Sequence, residues 1–174
     1  MKTGLASPIV FLLAVLAAGC GYHVVGGGGA LPPTTRVLAV LPFTNNTRQP
    51  GLSQSISAAV AREFQSRTPY RVQPTLAGSD AAVHGDLRSV TVDPITFDAT
   101  SGRATTVEVV VHVQAWVTAE PSGKELFRNN DMVFHEQYQI STDAQDFFEE
   151  DSTALMRLST EVAHTLVADI LEAF

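Results

Sequence analysis

Thr105-Thr106-Val107-Glu108-Val109-Val110-Val111-His112-Val113-Gln114-Ala115-Trp116-Val117-Thr118-Ala119 is the stretch that decides the fold. Its odd positions are valine, alanine or threonine, and its even positions include Glu108, His112, Gln114 and Thr118. Alternation with period two sends successive side chains to opposite faces, which marks a strand with one buried face. Glu120-Pro121-Ser122-Gly123 then turns the chain, and a second run sets Leu126, Met132, Phe134, Tyr138 and Ile140 on one parity. A long antiparallel hairpin is expected, and its apolar face needs a cover to be stable in water.

Cover is supplied from both sides in sequence. Downstream, Phe148, Leu155, Leu158, Val162, Leu166 and Ile170 recur at helical spacing, widened by Ala163, Val167 and Leu171. A helix from Asp143 to near the end of the chain would be about 45 Å long at 1.5 Å per residue, enough to cross a sheet. Thr142 and Gln145 have the spacing of a capping box, and the acids from Asp143 to Asp151 suit the positive end of a helix dipole. Upstream, Leu52, Ile56, Val60 and Phe64 form a second stripe, with Ala59 beside it, and Pro69 ends that helix by Thr68.

The remaining strands are read around these helices. Val37 to Phe43 is almost wholly apolar, as in a strand covered on both faces, and Thr44 to Thr47 reads as a polar loop. Tyr70 to Val72 starts a return strand, and Ala82 to Val92 forms another, where Gly85 marks a bulge or a close backbone contact. Thr91 to Arg103 reads as a loop into the hairpin. The order predicts an α+β two-layer sandwich: a mixed or antiparallel sheet of about four strands with two helices packed on one face, in a single domain over residues 36–174.

The amino terminus has another character. Lys2, the apolar run Ile9 to Ala18 and the small residues before Cys20 compose a secretory signal over residues 1–19 that ends in a lipoprotein cleavage site. Cys20 is the chain's one cysteine, so an internal disulfide is excluded and its thiol is the expected site of lipid attachment, with palmitate among the chains. Cleavage leaves about 155 residues of the 174, the size of one domain. Residues 20–35, with Gly26 to Gly29 followed by Pro32 and Pro33, read as a tether. Without Lys2 the charge is one unit more negative than the −7 of the whole chain, an acidic balance that argues against nucleic-acid binding.

Catalytic constellations are hard to find. His23, His84, His112, His135 and His164 form no pair at ligand spacing on a helix. The glycines of the tether lack the strand, helix and lysine of a phosphate loop. No catalytic residue, cofactor or metal site is assigned, and the chain is read as a non-enzyme.

Several stretches together resemble one family. Cys20-Gly21-Tyr22-His23, Leu38 to Thr47, Arg62-Glu63-Phe64, Tyr70-Arg71-Val72, Phe97-Asp98, Gly102 to Thr105, Phe134 to Tyr138, Phe147 to Asp151 and Ile170 to Phe174 are similar to LptE, the lipopolysaccharide-assembly lipoproteins. The resemblance implies a sheet backed by two helices, anchored by lipid to the inner leaflet of the outer membrane on its periplasmic side. It also implies a place as plug and assembly partner of the β-barrel LptD, and contact with lipopolysaccharide. Arg88 and Arg103 are the basic residues nearest the end of the sheet where that contact is expected, although the loop before Arg103 carries Asp93 and Asp98 and no other base. Two alternatives stay open: another outer-membrane lipoprotein, such as an activator or secretion-pore component, or a periplasmic enzyme acting on envelope polymers.

If the hairpin turns tightly at residues 120–123, Trp116 faces Phe127 and Val110 faces Val133 on the side away from the helices, with Glu108 opposite His135; Val109 faces Phe134 and Val111 faces Met132 on the covered side. These four apolar residues on the outer face, Trp116, Phe127, Val110 and Val133, are the expected contact patch for a barrel wall.

Overall fold

The computed structural model describes residues 31–140 and 144–173, with the backbone alone described for residues 144–151. Cys20, Thr142 and the amino-terminal tether up to residue 30 lie outside the described residues, and so do the side chains of the acidic helix start. The elements follow as β1 (Val37–Val40), β2 (Thr44–Asn45), α1 (Leu52–Arg67), β3 (Arg71–Gln73), β4 (Ala81–Phe97), β5 (Ala104–Ala119), β6 (Lys124–Gln139) and α2 (Ala144–Glu172).

One mixed sheet of six strands runs β3-β1-β4-β5-β6, with β2 beside β4. The pairs β4–β5 and β5–β6 are antiparallel, and the short strands join in parallel. This is the expected α+β layering with more strands than four. The additional ones are too short to leave a periodic signal: Thr44-Asn45 pairs with Asp86 and Leu87 where a loop is expected, because Pro42 interrupts the first strand and the chain rejoins the sheet beyond it.

The alternation in β5 translates directly into burial. Val107, Val109, Val111, Val113, Ala115 and Val117 are all at most 5% exposed. All of these but Val107 share one core with Leu52, Ile56, Val60 and Phe64 of α1 and with Leu158, Val162, Leu166 and Ile170 of α2. Both helices therefore lie on the odd-numbered face of β5, and they also pack on each other. Arg157 of α2 reaches Glu136 of β6, Nη2 to Oε1 2.6 Å, which fixes the helix along the sheet.

Gly85 sits on the covered face of β4, directly under the ring of Phe43, so the close approach is the reason for that glycine. The Phe43 amide donates to Ser57 Oγ at 2.9 Å and that hydroxyl donates to the Ser53 carbonyl at 2.6 Å, so α1 holds the aromatic residue in place. The bulge lies elsewhere, at Arg88, where the pairing shifts between Leu87 and Ser89.

β4 is also longer than the sequence suggests. It runs on to Phe97 through Pro94, and only residues 98–103 form the turn. That turn is organised by Asp98, whose carboxylate accepts the Ser101 hydroxyl and amide, each at 2.7 Å, and whose charged form these bonds favour. At the opposite end Asp80 accepts the amides of Arg36 and Val37 at 2.8 and 2.9 Å and is held below the usual carboxylate range by them. The chain thus enters the sheet beside Asp80 and residues 120–123, while the β4–β5 turn stands roughly 50 Å away at about 3.3 Å per residue.

The hairpin register departs from the one expected. Thr118↔Glu125 and Ala119↔Lys124 agree with a tight turn, but one shift follows before Val117 and another before Val113. Val111 therefore faces Phe134, Val113 faces Met132, Trp116 faces Arg128, Val110 faces His135, His112 faces Val133 and Glu108 faces Gln137. Each irregularity adds a residue to β6, and Asn130 and Asp131 have no signature that single-strand periodicity could detect.

Candidate functional site

The outer face of β4, β5 and β6 carries the even-numbered side chains of β5, and among the described residues no layer covers it. It is built of rows crossing three strands. In the first, His84 of β4, Trp116 of β5 and Arg128 of β6 are register neighbours. The His84 ring lies parallel to Trp116, with centroids 5.1 Å apart and planes 4° from each other. Arg128 stands over the indole, its guanidinium carbon 5.2 Å from the ring centre. The guanidinium also meets Glu125, Nε to Oε2 2.8 Å, and each partner favours the other's charged form. The parallel rings and the cation over the indole tie the three strands together on this face.

His84 Nε2 lies 3.0 Å from Thr118 Oγ1, whose hydroxyl donates to Glu120 Oε1 at 2.9 Å. Burial disfavours the charged imidazole and lowers its pKa, against the opposing pull of Glu120 and Asp86, so the stacked ring is neutral at neutral pH.

The second row is a clasp. Gln114 is 7% exposed, accepts a hydrogen bond from Arg88 Nη2 on one side, and donates Nε2 to Asn130 Oδ1 at 3.1 Å on the other. Arg88 is the residue of the β4 bulge and Asn130 lies in the irregular stretch of β6, so one glutamine joins both. Further along, His112 Nδ1 meets Asp131 at 2.8 Å, and Glu108 meets Gln137 Nε2 at 3.1 Å and His135 at 3.6 Å.

The expected apolar patch is thereby redrawn. Trp116, Val110 and Val133 do lie on the outer face, Val133 43% exposed. Phe127 does not: it pairs with Val117 and packs against the core, because the added residue near Leu126 turns its side chain to the covered side. Arg88 is engaged by Gln114, whereas Arg103 sits exposed in the distant turn, roughly 30 Å along β4 at about 3.3 Å per residue. The two arginines do not form one site. His84 and Arg128 carry no signal within their own strands and emerge only once the β4–β5–β6 register aligns them with Trp116.

A groove of about 590 Å³ between α1 and α2 is lined by Leu52, Arg62, Leu155 and Met156 among others, and among the described residues no His, Asp or Glu lines it. Among the described residues no group of three or more His, Cys, Asp or Glu side chains gathers to hold a metal. No described helix is long and apolar enough to cross a membrane.

The arrangement is a broad, hydrogen-bonded sheet face. A family model described as LptE, lipopolysaccharide-assembly, matches residues 35–170, which covers every element of the sheet and nearly all of α2. The chain belongs to the LptE family. No curated protein matches this LptE-family chain in sequence. Among solved structures it is similar to rare lipoprotein B from Shewanella oneidensis, with TM-score 0.53 at 10% identity over 74% of this chain and 91% of that one. An uncharacterized lipoprotein B from Nitrosomonas europaea gives TM-score 0.53 at 14% identity over 83% and 87%. A dodecameric PelC variant from Paraburkholderia phytofirmans gives 0.51 at 14% over 84% and 96%. These likenesses establish a shared fold for the LptE-family chain.

Proposed function

We propose that this chain is a non-enzymatic outer-membrane lipoprotein, lipid-anchored through Cys20 on the periplasmic side, that plugs the LptD β-barrel and assists its assembly in the transport of lipopolysaccharide to the cell surface. The observation that carries the reading is the uncovered outer face of a family member whose core is complete without it. Its rows of hydrogen-bonded, stacked side chains present a stiff polar and aromatic wall, and a polar barrel lumen is the surface such a wall matches. The span of roughly 50 Å from the start of β4 to the β4–β5 turn is that of an object reaching well up a barrel from the leaflet that holds its lipid. Lipopolysaccharide contact rests on the family alone, with Arg103, exposed at the far end, the better placed of the two arginines; Arg88 is already committed to Gln114.

Purification of the tagged chain in mild detergent tests the reading. A barrel of the LptD type in near-equal amount is the expected result. A secretion-pore component in its place, or turnover of an envelope polymer, would replace the proposal by one of the other readings. Trp116→Ala combined with Val133→Asp should reduce the recovered barrel several-fold while lowering stability by about 2 to 4 kcal/mol and leaving the domain folded, because one side chain is half-buried and the other exposed. Full recovery of the barrel would remove the outer face from the interface.

Anchoring has its own test. Cys20→Ala should leave the domain folded, since the core begins beyond the glycine tether, and should move the protein to the soluble fraction in cells lacking the barrel. Retention in the membrane there would count against a lipid anchor.

A further inference from the structure

β4 is paired on both sides only as far as Leu87. β1 and β2 flank its first half, but beyond the bulge at Arg88 no described strand lies on that side, so among the described residues 88–97 form a free edge while β5 continues on the other. The helix layer falls short there as well. On β5 the covered face stays buried out to Val107, whereas on β4 Val92, the partner of buried Val109, is 52% exposed. Edge strands with unpaired amides and carbonyls are templates for another strand. The stretch Ser89-Val90-Thr91-Val92-Asp93 is β-prone, with Val90 and Val92 toward the helix side and Ser89, Thr91 and Asp93 outward.

The charges on this edge say what would fit. Asp93 lies directly opposite Glu108, a like-charge pairing that is unfavourable between adjacent strands. Glu108 has His135 and Gln137 beside it, but Asp93 stands next to the open side of the sheet. A strand arriving at the edge with a lysine or arginine beside Asp93 relieves that repulsion. A second copy of this chain does not supply one: antiparallel pairing centred on Thr91 sets Val90 against Val92 but Ser89 against Asp93, and bringing Arg88 opposite Asp93 sets Ser89 against Val92, on opposite faces. Two such short edges would also bury too little surface for a stable dimer.

We infer that the free edge of β4 from Ser89 to Asp93 receives an extended segment of the barrel partner as an added strand, with apolar residues over Val90 and Val92 and a basic residue beside Asp93. This rests on the plug reading and deepens it, since it names a backbone-paired contact in addition to the outer face. Strand addition draws its affinity from main-chain hydrogen bonds and its selectivity from alternate side chains.

The test uses the full-length chain co-expressed with the barrel. Hydrogen exchange should show the residue 89–93 amides that point away from β5 slowed at least about tenfold in the complex relative to the free protein. Asp93→Lys should leave the melting temperature of the free protein unchanged or raised, because it pairs with Glu108, and should cut barrel recovery several-fold; Asp93→Asn should fall between. Unchanged exchange at this edge in an intact complex, or full recovery with Asp93→Lys, overturns the added strand and leaves the plug standing. Failure of the wild-type chain to recover any barrel overturns the plug and the added strand with it.

Discussion

Leu158→Asp is expected to abolish cooperative unfolding altogether. Leu158 is 0% exposed, at the centre of the α2 stripe between helix and sheet. The substitution forfeits the burial of a leucine, worth about 1.5 to 3 kcal/mol, and adds a carboxylate with no charged partner in an apolar layer, at several kcal/mol more. A domain of this size has roughly 5 to 15 kcal/mol to lose. Leu158→Ala separates the two contributions, since it removes packing without adding charge and should cost about 2 to 5 kcal/mol with a melt still observable. Circular dichroism melts of both variants check this. A normal melt for Leu158→Asp would mean that α2 does not cover the sheet.

Gly85→Ala should cost about 1 to 3 kcal/mol even though it adds one methyl group. The new Cβ would overlap the Phe43 ring, and that ring is 4% exposed, with its backbone held by Ser57, so it has little room to withdraw. Adding Phe43→Leu should recover part of the loss, because the smaller side chain vacates the space the methyl needs, and the two effects should be clearly non-additive. Chemical denaturation of the single and double variants gives the coupling. Strict additivity would place the cause outside this contact.

The hairpin and both helices are legible in the sequence because each carries a strong period over many residues. Every odd position from Val107 to Val117 is valine or alanine, and Leu158, Val162, Leu166 and Ile170 hold one helical stripe. Gly85 is legible as a close contact, though its partner Phe43 is not. What cannot be read depends on pairs of strands. Thr44-Asn45 is a strand only because Asp86 and Leu87 lie beside it, and the outer segment of β4, with Pro94 in it, is held extended by β5. The same holds for the outer face. Parity alone places Trp116 and Val133 on it, but misplaces Phe127, because one extra residue in β6 reverses every side chain between the shifts. His84 and Arg128 need two registers at once.

The bulge at Arg88 also has a bearing on how chains of this fold can be aligned. Before it, paired residues of β4 and β5 have numbers that add to 200, as in Leu87 with Val113; from there to Pro94 they add to 201, as in Ser89 with His112. Loss of that single residue would bring the stretch from Ala81 to Pro94 into one continuous ladder, with Val90 and Val92 still on the helix side and Asp93 still outward. The irregular stretch of β6 at Asn130 and Asp131 has the same property. These are seams where a gene can gain or lose one codon without turning a strand over, whereas a deletion anywhere in β5 between His112 and Trp116 disturbs both neighbours together. Sequence comparison across distant members should therefore find its gaps at residue 88 and near residue 130, on either side of an unbroken β5.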